Sequence, residues 1–96
     1  MDKTIQQFLR TAKNESKSTE ILLIKLTEEV GEVAEAYLSD NHSSLNENKN
    51  LTLQDYQEEL VDTLMVAATL LVKTGINEKD CINLFNKKIK KWQSKQ

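Results

Sequence analysis

Apolar residues recur along the chain at helical spacing in four separate stretches. The first covers about Lys3 to Lys13 and places Ile5, Phe8, Leu9 and Ala12 on one stripe. The polar run Asn14 to Ser18 interrupts it. The second runs from about Thr19 to Ser39, where Leu22, Leu26, Val30, Val33 and Tyr37 follow one another at steps of four, four, three and four. Ser18 or Thr19 suits its N-cap, since a side-chain oxygen there can accept a free amide of the first turn. Asp40 to Asn50 reads as a loop, rich in Asn and Ser. The third helix is expected from about Leu51–Leu53 to Lys73, with Thr52 as N-cap and Asp55 three positions on. Thr74 and Gly75 close it, glycine being free to adopt positive φ. The fourth begins after Asn77 and runs towards Trp92, with Cys81 or Ile82, Phe85, Ile89 and Trp92 on its apolar side.

From Leu60 onward the third helix is apolar on nearly every face. Such a helix belongs at the centre of an assembly, and 96 residues leave little chain to surround it. The expected fold is therefore all-α, a small bundle of about four helices completed by oligomerisation. Composition agrees with this. The chain has no proline and two glycines, so little interrupts its helices. Its length suits one domain, taken as residues 1–96.

Charge and cysteine content exclude several classes. Net charge is −2 and the pI is near 5.4, so nothing draws the whole molecule to nucleic acid or an anionic membrane. A single cysteine, Cys81, can form neither an internal disulfide nor a cysteine metal cluster. Met1 to Arg10 lacks the apolar core of a signal peptide, and the longest apolar stretch, Leu64 to Val72, is far shorter than the ~20 residues of a membrane span. A cytoplasmic location is the simple expectation.

The candidate chemistry lies on the second and third helices. Glu29 and Glu32 stand at i and i+3, and so do Glu59 and Asp62. Residues three apart share a helical face, their Cβ atoms roughly 5–6 Å apart. Glu29 falls beside the arc of Leu22, Leu26 and Val33, while Asp62 shares its face with Met65, Val66 and Thr69. On antiparallel neighbours the two pairs form a four-carboxylate cage pointing at the apolar seam. Four such charges repel one another and are costly to desolvate; bound cations resolve the conflict. Carboxylates without imidazole or thiolate favour Mg²⁺, with Mn²⁺ as a substitute. ExxE on one helix is more often a solvated face; both motifs at the edge of core stripes reverse that reading. Glu35 is assigned to the surface, and Glu28 is a supporting or catalytic candidate. His42 and Cys81 carry no catalytic assignment, and Tyr37, Phe8 and Trp92 are read as core. The C-terminal lysines, Lys87 and Lys91 among them, read first as a solvated face suited to a helix C-terminus and second as phosphate contacts.

The stretch Lys25-Leu26-Thr27-Glu28-Glu29-Val30-Gly31-Glu32-Val33-Ala34-Glu35-Ala36 closely resembles the first motif of MazG-like all-α nucleoside triphosphate pyrophosphohydrolases. Glu59-Leu60-Val61-Asp62-Thr63-Leu64 resembles the second, after an interval of 26 residues between Glu32 and Glu59. The resemblance implies Mg²⁺ held by Glu29, Glu32, Glu59 and Asp62. It implies a helical-bundle homodimer or homotetramer that cleaves (deoxy)nucleoside triphosphates to monophosphate and pyrophosphate. Family members carry a lysine on the last helix and an asparagine four residues later; here Lys87 matches the lysine and Lys91 stands in place of the asparagine. A glutamate, Glu28 or Glu32, is the expected proton acceptor. Two other readings remain: a di-iron bundle, which needs Glu-x-x-His pairs the chain lacks, and a non-catalytic helical interaction module.

Overall fold

The computed structural model describes residues 3–40 and 51–96. These form four helices in chain order: α1 (Lys3–Lys13), α2 (Thr19–Asp40), α3 (Leu53–Lys73) and α4 (Glu78–Ser94). No strand occurs among the described residues. The expected boundaries hold to within a residue or two; α2 continues through Asp40, and the rest of the expected loop, His42 included, lies outside the described residues.

The helix ends explain themselves locally. Ser18 Oγ accepts the Ile21 amide at 3.2 Å. Thr52 and Asp55 form a reciprocal capping box: Thr52 Oγ1 accepts the Asp55 amide at 3.2 Å, and Asp55 Oδ2 accepts the Thr52 amide at 2.7 Å. These bonds favour the ionised Asp55 carboxylate and lower its pKa. Asn77 Oδ1 accepts the Asp80 amide at 2.8 Å. Gly75, at φ 82°, turns the chain out of α3.

Two tethers set α2 and α3 antiparallel. At one end the Leu51 amide donates to Ser39 Oγ at 3.0 Å, next to a tilted Tyr37–Tyr56 ring contact with centroids 5.4 Å apart. At the other, Lys73 Nζ donates to the Glu15 carbonyl at 3.1 Å. The α2 seam runs Leu22, Leu26, Glu29, Val33, Ala36, at steps of four, three, four and three. Val30 and Tyr37, expected on that stripe, are about half exposed on its flank. The apolar pattern steps past Glu29 because it is charged, but a seam between two helices keeps a near-3.5-residue period and passes through it. On α3 the matching seam holds Tyr56, Glu59, Thr63, Val66 and Leu70.

α1 packs on α3 through Ala12, with Phe8 and Leu9 half-buried. Among the described residues α4 packs against no other helix, and Trp92, expected in the core, is 69% exposed. α3 likewise shows an apolar outer face, with Leu64 69% exposed. The result is an open, extended chain. Its radius of gyration is 16.1 Å, against about 12.5 Å for a compact domain of this length.

Candidate metal centre

The α2–α3 seam places the carboxylates opposite one another midway along the pair. One oxygen each of Glu29, Glu59 and Asp62 lies within 4.8 Å of the other two. The Glu32 carboxylate is within hydrogen-bonding reach of Glu59. All four residues singled out by spacing therefore converge, three as a tight donor set and Glu32 at its edge.

Burial grades across the cluster. Glu29 is 7% exposed, Glu59 half-buried and Asp62 open to solvent. Oε2 of Glu29 and Oε2 of Glu59 are both shielded from water and have no hydrogen-bond partner. A buried carboxylate oxygen left unsatisfied is costly, and two of them aimed into one acidic cluster constitute an unmet demand for positive charge. The Glu59 pKa answers that demand in part, rising from 4.5 to about 7. The first cause is the hydrogen bond with the Glu32 carboxyl, which requires a proton between them. Desolvation comes second, and the charges of Glu32, Glu29 and Asp62 follow.

A divalent cation fits this donor set. The oxygens are hard, anionic and close enough to share one ion, and among the described residues the cluster holds no nitrogen or sulfur ligand. The exposed Asp62 side gives access from solvent.

Sequence reasoning missed Lys25. Its Nζ lies 3.3 Å from Glu29 Oε1, four residues earlier on α2. The spacing was there to read, although lysine preceding glutamate is the weaker order for an exposed pair. Here the partner is buried, so Lys25 caps an otherwise unpaired carboxylate. Glu28 is exposed on the adjoining face, and Glu35, expected at the surface, is half-buried. Glu58 is exposed and accepts Gln54 Nε2 at 3.4 Å. Lys87 and Lys91 lie exposed on α4, and the chain does not bring them to the carboxylates. Cys81 is half-buried.

A family model described as phosphoribosyl-ATP pyrophosphohydrolase matches residues 2–89, nearly the whole chain. No curated protein and no solved structure matches. No described helix is long and apolar enough to cross a membrane.

Proposed function

Because the chain belongs to the phosphoribosyl-ATP pyrophosphohydrolase family, within the MazG-like all-α superfamily, and is thus a pyrophosphohydrolase acting on a nucleotide, we propose that it hydrolyses (deoxy)nucleoside triphosphates to monophosphate and pyrophosphate with Mg²⁺ as cofactor. Residues 1–96 act as one such domain, in the cytoplasm and as a homodimer or homotetramer, without nucleic acid or membrane. The observation that carries this reading is the convergence of Glu29, Glu59 and Asp62, with Glu32 beside them and two shielded oxygens unpaired.

Glu29, Glu32, Glu59 and Asp62 hold the cation; Mn²⁺ can replace Mg²⁺. When bound, the cation neutralises triphosphate oxygens and makes a water molecule acidic enough to attack the α-phosphorus. The chain's own groups do the rest. A bound cation would favour loss of the proton that raises the Glu59 pKa in its absence, and Glu32, beside Glu59, would then be the base. Water adds to the α-phosphorus, the bond to the bridging oxygen breaks, pyrophosphate departs, and the water's proton passes to Glu32 or to its neighbour Glu28. Lys25 holds Glu29 Oε1 in place through their ion pair. Lys87 and Lys91 contact phosphate, and reach it only from a second copy.

The family match favours a second substrate reading, phosphoribosyl-ATP. The same bond breaks in both, because each substrate presents a triphosphate. A pyrophosphate-release assay with the common NTPs, the dNTPs and phosphoribosyl-ATP, run with Mg²⁺ and then with chelator, tests both. Metal-dependent release from NTPs or dNTPs supports the proposal, and release from phosphoribosyl-ATP alone replaces its substrate. No release from any of them by folded, Mg²⁺-bound protein would return the chain to a helical interaction module.

A further inference from the structure

The antiparallel α2–α3 seam has two unlike edges. Equal offsets from facing seam residues fall on the same edge of such a pair, because both helices turn the same way. Glu32, three after Glu29, and Asp62, three after Glu59, therefore share one edge. Lys25 precedes Glu32 by about two turns and belongs to that edge as well. All three are exposed. The opposite edge carries the Tyr37–Tyr56 ring contact. A ligand that enters the carboxylate cluster from solvent along the Asp62 side passes Lys25.

The helices that build the centre offer little other positive charge. α2 and α3 contain two cationic side chains, Lys25 and Lys73, and Lys73 is engaged with the Glu15 carbonyl at the far end of the pair. Lys25 Nζ lies 3.3 Å from Glu29 Oε1, joining a side chain 46% exposed to one 9% exposed. An ammonium has three N–H donors, so one holds the buried carboxylate and two remain for another acceptor. As a stabilising device the pair is poorly arranged: lysine ahead of glutamate is the weaker order, and water screens the exposed partner. As an anion contact it is well arranged. Lysine meets phosphate as a point charge with rotatable donors, and this one stands beside the most deeply buried carboxylate of the cluster.

We propose that Lys25 is the phosphate-contacting residue this chain supplies by itself, its ammonium bridging Glu29 Oε1 and an oxygen of the substrate's triphosphate on the open edge of the centre. The inference rests on the pyrophosphohydrolase reading above. It assigns a cation that meets the phosphates without a second copy, which Lys87 and Lys91 do not provide.

Calorimetry on the full chain tests it, with Mg²⁺ alone and then inorganic tripolyphosphate in Mg²⁺ as probes. Wild type, Lys25→Gln and Lys25→Arg are compared, each at a Mg²⁺ concentration that saturates its own centre. Circular dichroism is expected to be the same for all three, since Lys25 is exposed. Lys25→Gln is expected to weaken tripolyphosphate binding by roughly ten- to hundredfold, the worth of a charge-assisted contact. Lys25→Arg, which keeps the charge, should recover most of it. With a nucleotide that the wild type hydrolyses, Lys25→Gln should also raise KM. A residue that only props Glu29 would shift Mg²⁺ affinity and leave tripolyphosphate binding unchanged once the centre is saturated. That outcome overturns the proposal and leaves the assigned reaction standing. Lys25-dependent tripolyphosphate binding without pyrophosphate release from any nucleotide does the reverse. A wild type that binds no tripolyphosphate in Mg²⁺ would overturn it as well.

Discussion

Glu59→Gln separates the cost of the carboxylate cluster from its use. In the wild type without metal, Glu59 titrates at about 7 in the folded chain and at 4.5 when released from its neighbours. A raised folded pKa means that Glu59's contribution to stability is complete below 4.5 and is lost as pH rises through about 7. Fully expressed, a displacement of this size equals about 3 kcal/mol. Glu59 has one flank open to water, and screening there leaves about 1–2 kcal/mol. Glutamine keeps the shape and removes the charge. In chelator near pH 8 the variant should therefore melt roughly 5–15 °C above the wild type, and near pH 5 the gap should close. Excess Mg²⁺ reverses the order. At a hundred times its Kd a ligand adds about 2.7 kcal/mol to the wild type, while the variant lacks one of the coordinating oxygens. Thermal melts followed by circular dichroism, at fixed protein concentration, read all four conditions. A variant less stable than the wild type in chelator near pH 8, or a gap of equal size near pH 5, would refute the claim that Glu59 is held at a cost by its neighbours.

Asp62→Asn and Glu32→Gln should each lower kcat by roughly 10²–10⁴-fold while circular dichroism shows the helices intact; full activity in either would remove that residue from the site. Lys87→Ala should raise KM with little change in kcat if that lysine meets phosphate, and an unchanged KM would return it to the solvated face of α4. Thr52→Ala removes the hydroxyl that accepts the Asp55 amide and leaves the residue-52 backbone amide donating to Asp55; it should cost about 1 kcal/mol, read as a lower denaturant midpoint with an unchanged m-value.

The four helices and their ends were legible in the sequence because the causes are local. An apolar period, the absence of proline, a capping residue and a glycine at positive φ all act within a few residues, so Thr52, Asn77 and Gly75 could be placed before any tertiary contact was known. The four carboxylates were legible for a related reason: a spacing of three fixes a shared face whatever that face meets. What spacing could not decide was the depth of each carboxylate. Glu29 lies in the seam itself, because the α2–α3 contact follows a 3.5-residue period that replaces Val30 and Tyr37 with Glu29 and Ala36. Only that register shields Oε2 of Glu29 and Oε2 of Glu59, brings Glu32 to Glu59, and gives Lys25 a buried partner. The fourth helix shows the same division. Its amphipathic stripe is written in the sequence, but whether a stripe is covered depends on where the neighbouring helices leave room. Among the described residues α4 stands clear of the other helices, because burial is a property of pairs of surfaces and a sequence pattern describes only one.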